Sequence, residues 1–319
     1  MKTFDEIYEE LQNADTKDLK ENWEAAKKEN EKSKKTAKTI CLIIDILFII
    51  LFGKSIIKIG SLMLIIAPAF FVIIFNVVIY TLITGFSRMS KNNRKFNAKY
   101  KEILIKKLIS NFYSNLEYFP NKKMPKYIYD KIGYEYYNLY ESDDYFEAQI
   151  NNKNSIQMAE IVTKEERTHR NSEGETETEI ITKFHGLFAK IVMDKSINSE
   201  LKILEDGRFR LNKRLNMDSS EFEKYFDVKA SNSIIGMQLL TADVMQELIE
   251  FEDKTNMKFD IVIKDNELYL RFHSGTMFEY VDFSKDLFDK ETLRKYFYML
   301  NFTYNLSNRL INIVNDIEI

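Results

Sequence analysis

The stretch Gly60–Ser87 reads GSLMLIIAPAFFVIIFNVVIYTLITGFS and holds no charged residue. A bilayer core about 30 Å thick needs roughly 20 apolar residues in helical form. This run is longer and can span with some tilt. A second run lies just upstream. Thr39–Gly53 is apolar except for Asp45, and Ser55–Ile59 extends it past Lys54, with Lys58 near its end. Lysines at such a position bury their stems and lift their ammonium groups to the headgroups. Beside the stronger run, Thr39–Ile59 reads as the first arm of a helical hairpin. The sequence therefore predicts N-terminal helices over 1–37, a transmembrane hairpin over 38–87 with spans at about 39–59 and 60–86, and an α+β domain over 88–319.

Charge sets the expected orientation. Lys27, Lys28, Lys32, Lys34, Lys35 and Lys38 precede the first span, and Arg88, Lys91, Arg94, Lys95, Lys99 and Lys101 follow the second. The connecting turn carries only Lys54 and Lys58. Basic flanks stay in the cytoplasm, so both termini are expected there, on a multi-pass protein of the inner membrane. Met1-Lys-Thr-Phe-Asp-Glu6 lacks the basic start and immediate apolar run of a signal peptide. Cys41 is the sole cysteine, which excludes an intrachain disulfide and a cysteine-based zinc cluster. A net charge of -3 argues against a nucleic-acid binder. The expected partners are the lipid bilayer and either a protein partner or a second copy of the chain.

Among the polar residues within the spans, Asp45 and Asn76 are the only candidate site residues, as intramembrane contacts. Asp45 reads as a carboxylate near the headgroups paired with a flanking lysine, in preference to an ion path or partner contact, because an ionised group deep in hydrocarbon is costly. Asn76 reads as glue between helices or subunits, since an amide bonds across helices in lipid.

Outside the spans, Thr3 and Glu6 have capping-box spacing ahead of Phe4, Ile7 and Leu11. A second helix capped near Asp15 or Thr16 is expected to run on into the first span. Tyr100–Phe112 has helical periodicity, with an end expected near Pro120, and a short helix is expected over Pro125–Tyr137. Tyr127, Tyr129, Tyr134, Tyr136, Tyr137 and Tyr140 read as packing with wet hydroxyls rather than a stacking surface. Ser155–Thr168 and Glu175–Met193 read as long strands around a polar tip. Shorter strands are expected at Leu201–Leu204, Phe226–Val228, Asp260–Ile263 and Leu268–His273, the last two joined by a hairpin turn over Lys264–Glu267. Helices are expected from Asp218, from Thr241 and from about Lys290 to Asn312. Clustered strands bracketed by helices define an α+β domain with a mainly antiparallel sheet.

Three motifs stand in order on this framework: Phe184-His-Gly-Leu-Phe188, Asp218-Ser-Ser-Glu-Phe-Glu-Lys-Tyr-Phe-Asp-Val228 and Leu239-Leu-Thr241. Together with the basic-flanked hairpin they resemble the bacterial domain-of-unknown-function family 3137, over roughly residues 30–310. The resemblance implies a bacterial cytoplasmic-membrane protein and carries over no catalytic residue. Physically the motifs read as scaffold: Phe184 and Phe188 share a strand face, Phe222 and Phe226 share a helical face, and Gly186 suits close packing.

Phosphate-binding glycine loops and the His-Glu-x-x-His zinc motif are missing from the sequence. His169 is expected on the hairpin tip, and His185 on the strand face opposite Phe184 and Phe188. A joint site of His185 and His273 is not expected. No catalytic residue, metal or cofactor is predicted. The sequence reads as a membrane-anchored cytoplasmic binding or scaffold module. The alternatives are a self-assembling membrane complex or transport accessory, or an enzyme whose site is not legible.

Overall fold

The computed structural model describes residues 1–14, 16–59, 63–88, 90–170, 174–205, 215–280 and 282–317, with backbone alone over 52–69 and at Arg88. The chain divides into two compact units: Glu9–Ile103 with Glu279–Asp289, and Met1–Tyr8 with Leu104–Phe278 and Lys290–Ile319.

The first unit is a helical hairpin, preceded by a helix whose first turns, through Tyr8, belong to the second unit. Helix α1 (Phe4–Asn13) begins under its predicted capping box: Thr3 N–H donates to Glu6 Oε2 at 2.7 Å, and Glu6 N–H to Thr3 Oγ1 at 3.4 Å. Helix α2 (Lys17–Ile59) runs unbroken from the acidic N-terminal region through the lysine-rich stretch into the first apolar run. Helix α3 (Met63–Arg88) returns beside it, as the contacts of residue 30 with 87 and of 41 with 76 require. Helix α4 (Lys91–Tyr100) is capped by Ser90, whose hydroxyl accepts from Asn93 N–H. Below the apolar stretch the helices are joined by buried amides. Asn30 donates to Asn93 Oδ1 at 2.9 Å, and Asn93 donates to the Ser87 carbonyl at 2.6 Å. Phe96 and Tyr100 pack their rings against Tyr280 in the same unit.

The second unit is built on one eight-stranded sheet, antiparallel throughout, in the order β1-β2-β3-β4-β8-β7-β5-β6. Its strands are β1 (Ser114–Phe119), β2 (Leu139–Gln149), β3 (Ser155–Arg170), β4 (Thr176–Val192), β5 (Glu200–Glu205), β6 (Phe226–Ala230), β7 (Phe259–Lys264) and β8 (Glu267–Phe272). The remaining helices are α5 (Lys106–Ser110), α6 (Lys126–Asp130), α7 (Ser233–Leu239), α8 (Ala242–Thr255) and α9 (Lys290–Asp316). The α+β reading with an antiparallel sheet holds.

Three local expectations are corrected and one helix is added. The helix through Tyr100–Phe112 contains a π-helical turn at Lys101–Ile105 and stops at Ser110, and Ser114–Phe119 is a strand. That segment becomes a strand by pairing with β2. The helix in Pro125–Tyr137 is only Lys126–Asp130. Phe222 and Phe226 do not share a helical face: a single 3-10 turn ends at Lys224 and a strand starts at Phe226, yet both rings are buried 5.0 Å apart. Helix α7, capped by Asn232, is not in the sequence reading. The predicted tip residues Asn171 and Ser172, and the Lys54 and Lys58 side chains, lie outside the described residues.

The two faces of the sheet follow from strand alternation. One face carries Leu187, Phe259, Ile261, Leu270 and Phe272, and packs on α8 and α9 through Phe251 and Phe302, whose rings stack 3.8 Å apart. The other carries Phe184, Phe188, Val262 and Tyr269 under α6 and the tyrosines.

The strand ladder closes most tightly at Gly186. A Cβ there would meet the Phe272 carbonyl oxygen at 1.9 Å and Ser274 N at 2.7 Å. The contact atoms are backbone, so they cannot turn aside. Gly186→Ala is expected to destabilise the sheet unit by roughly 3 kcal/mol or more, whereas Gly85→Ala, with open space around it, leaves it unchanged. Pulse proteolysis across a urea gradient measures both, and equal midpoints would remove the steric explanation.

Candidate functional site

The two residues singled out within the spans meet. Asn76 Nδ2 donates to Asp45 Oδ1 at 2.6 Å, and the Asn76 carbonyl lies 3.6 Å from Cys41 Sγ. The partner of Asp45 is thus the facing amide rather than the expected flanking lysine. One turn separates Cys41 from Asp45 on α2, so both face the same level of α3. Around this polar contact the surface is apolar. Leu42, Leu47, Ile50 and Leu51 on α2, and Phe70, Phe71, Phe75 and Leu82 on α3, are exposed. Among the described residues one stretch, Phe70–Ser87, is long and apolar enough to cross a membrane, and only 6% of it is buried.

The sheet unit holds a different polar centre. The two-residue turn Asp265–Asn266 fixes the β7–β8 register and sets Asp260 directly opposite Arg271. Arg271 Nε and Nη2 donate to Asp260 Oδ2 at 3.0 and 2.8 Å, while Nη1 donates to Tyr129 Oη and Glu135 Oε1, both at 3.0 Å. Tyr129 Oη also donates to Glu135 Oε1 at 3.0 Å, and His273 Nε2 lies 3.1 Å from Asp260 Oδ2. The guanidinium is sandwiched by the rings of Tyr134 and Phe184, with 4.3 and 4.9 Å to their centroids. The side chains of Arg271 and Asp260 are 3% and 1% exposed.

Burial works against the Arg271 charge, but Asp260, with Tyr129 and Glu135, outweighs it and holds the guanidinium protonated above its ordinary range. Burial in turn pushes the Tyr129 phenol up. Every guanidinium nitrogen donates to a protein acceptor. Four of its five N–H donors are thus used, and the arrangement is a clamp between β7, β8 and the segment around α6.

A second cluster lies on the opposite sheet face. Carboxylate oxygens of Asp143, Asp144 and Glu160 come within 4.8 Å of one another. Asp144 sits at a β-bulge with φ 51 and accepts from Tyr118 Oη at 2.5 Å. Glu160 Oε2 accepts from Met277 N–H at 2.8 Å, and Glu160 Oε1 lies 3.4 Å from His185 Nε2. His185 and His273 therefore belong to different clusters on opposite faces. His169 is on the exposed ribbon beside Glu177. Of the tyrosines, Tyr129, Tyr134, Tyr137 and Tyr140 pack on the sheet, while Tyr127 and Tyr136 are exposed.

The sequence reading missed Arg271, Asp260 and Glu135. Its signal was present for two of them: a turn at Asp265–Asn266 sets opposite any residues equidistant from it, and Asp260 and Arg271 are such a pair. Glu135 approaches from a remote segment and has no comparable signal.

Fold and site define a helical hairpin unit joined to an antiparallel sheet unit with a buried ionic clamp. Residues 182–311 match the family model described as Protein of unknown function (DUF3137), the family that the three motifs resemble. The match begins in β4 and runs into α9, so it takes in Gly186, Asp260 and Arg271. No curated protein and no solved structure matches the chain.

Removing one member of the clamp strands a buried opposite charge. Arg271→Met or Asp260→Leu alone is expected to cost roughly 3–5 kcal/mol, and both together clearly less than the sum. Trp23, the only tryptophan, sits on α2 in the other unit, so amide hydrogen exchange in β7 and β8 is the appropriate measure. Strict additivity would show that the two side chains act independently.

Glu267 gives a pH prediction. Burial works to raise its carboxyl, but hydrogen bonds from Lys190, Tyr269 and Lys131 overcome this and hold it down at about 2. A carboxylate lowered on folding adds stability above its unfolded value, near 4.5, and loses it as pH falls toward 2. The stability difference between the native chain and Glu267→Gln is expected to be constant above about pH 5 and to shrink through that acid window. A pH-independent difference, read by pulse proteolysis, would rule out the charge as its origin.

Proposed function

We propose that the chain is a membrane-anchored cytoplasmic binding or scaffold module. The α2–α3 hairpin is its anchor, both termini lie in the cytoplasm, and the sheet unit is the part that meets a protein partner. The observation that carries this reading is the bare apolar band. Only 6% of Phe70–Ser87 is buried, and the facing stretch of α2 exposes Leu and Ile side chains of its own. In water such a band would impose a large hydrophobic penalty, and in hydrocarbon it is the favoured surface. The lysine and arginine flanks support the orientation. The sheet unit supports the binding role through exposed Tyr127, Tyr136 and Ile180, large side chains of the kind that anchor partners.

A second reading, self-assembly through the spans, rests on Asn76. Its Oδ1 is shut inside the hairpin without a hydrogen-bond partner among the described residues, and repacking of the spans against a second copy would bring it a donor.

The chain, tagged at both ends, is expected to stay in the membrane through alkaline carbonate washing. Protease added outside intact cells is expected to spare both tags. Release by carbonate would sink the anchor, and loss of one tag alone would replace the hairpin by a single crossing. Crosslinking of the detergent-purified chain then separates the two readings: a reproducible partner joined beyond residue 100 favours the scaffold. Self-links through the spans that vanish in Asn76→Leu favour assembly.

A further inference from the structure

Where the apolar band ends, the hairpin unit opens into a cleft of about 590 Å³ between α2, α3 and α4. That volume falls within the roughly 300–1,000 Å³ of ordinary small-ligand sites. Its wall changes character along α2. Ser33 and Thr36 lie toward the apolar band, with Ile83 of α3 beside them, and Lys28 and Lys32 lie further from it, with Asn92 of α4. Lys28 and Lys32 are one turn apart on one helix face. Both are exposed, and neither makes an ion pair among the described residues. Three other lysines of this unit are engaged: Lys99 pairs with Asp18 at 3.0 Å, Lys101 with Glu279 at 3.4 Å, and Lys27 covers the Trp23 ring. The acidic member of the lining is Glu29, whose Oε2 is shut off from solvent. Lys28 and Lys32 together outnumber Glu29, so the lining carries a net positive charge.

We propose that this cleft seats the headgroup of an anionic phospholipid. The phosphate lies against Lys28 and Lys32, the Ser33 and Thr36 hydroxyls and the Asn92 amide hydrogen-bond its oxygens, and an acyl chain runs past Ile83 along the apolar surface of α3. The choice of occupant follows from two features together. Paired ammonium groups complement a phosphate, and the cleft is continuous with Ile83, itself part of the apolar stretch Phe70–Ser87. A soluble anion would use the first feature and leave the second without purpose. The inference rests on the membrane-anchored reading, because it sets the cleft at headgroup depth.

The test uses the full chain in mild detergent, titrated with phosphatidylglycerol or phosphatidylcholine and read by native mass spectrometry. Phosphatidylglycerol is expected to bind about tenfold more tightly, at roughly the strength that one or two lysines contribute at an anionic surface. Lys28→Gln with Lys32→Gln is expected to abolish the preference. Lys34→Gln with Lys38→Gln removes equal charge from α2 at positions roughly 80° or more round the helix and is expected to keep it. Inorganic phosphate at millimolar concentration is expected not to displace the lipid. Equal affinity for the two lipids, equal losses in both double variants, or displacement by phosphate alone would each overturn the proposal. Carbonate extraction keeps the two failures apart. A chain that stays in the membrane without lipid preference refutes the cleft alone, while a chain that washes off refutes the anchor beneath it.

Discussion

The sheet depends on one close approach of backbone to backbone. β4 and β8 join the β1–β4 half of the sheet to the β7–β5–β6 half. Their ladder runs from Leu187–Phe272 to Val192–Glu267. At its open end the chain turns over at Ser274 and Gly275, which bonds back to the His185 carbonyl. That turn presses on Gly186 at a distance no Cβ tolerates. Absence of a side chain there is what lets the chain after β8 double back against β4. Both cores hang on the same junction: Leu187 and Phe272 face α8 and α9, while Phe188 and Arg271 face α6 and the tyrosines.

This explains why the Phe184–Phe188 motif is informative. Alternation sends Phe184 and Phe188 to one face and Leu187 to the other, with glycine at the crossing point. The motif therefore specifies both packing surfaces and the seam between them. It says nothing about chemistry. The clamp around Arg271 is similar in kind. Its ionic members are closed on one another, and replacing such groups by apolar ones of like shape is often neutral for stability. What they provide is register: Asp260 meets Arg271 only when β7 and β8 pair as they do, because a slip of one residue would turn each to the opposite face.

Legibility in the sequence followed the range of the forces involved. Period-two strands around short turns, the Thr3 and Thr241 caps and the long amphipathic α9 were readable because neighbours in sequence determine them. The extent of β3 and β4 was readable to within a residue or two for the same reason. The helix stop at Ser110 and the strand at Ser114–Phe119 were not, since that segment becomes a strand only by pairing with β2. Of the candidate contacts, Asp45 and Asn76 were visible as polar residues in apolar runs. Their pairing with each other was not, because it depends on how α2 and α3 align. The clamp was half legible: hairpin register gives Asp260 and Arg271, whereas Glu135 and Tyr129 arrive through tertiary packing alone.

The Asp45–Asn76 contact has a meaning that depends on its solvent. In water an amide–carboxylate hydrogen bond on an exposed helix pair contributes little, because water competes for both groups. In hydrocarbon the alternative to that bond is an unsatisfied polar group, and the contact then opposes separation of the helices. Leucine, isoleucine and phenylalanine elsewhere along α2 and α3 give no such preference in lipid, since lipid tails are as apolar as they are. The apolar band and the part-buried Asp45–Asn76 pair are thus complementary on the membrane-anchored reading. The band places the helices in hydrocarbon, and hydrocarbon gives the pair the strength to hold them as one hairpin. Beyond the band, buried amides and aromatic rings take over: Asn30 and Asn93 join α2, α3 and α4, and Phe96 and Tyr100 pack on Tyr280. On the membrane-anchored reading, this change along the helices falls where hydrocarbon gives way to water.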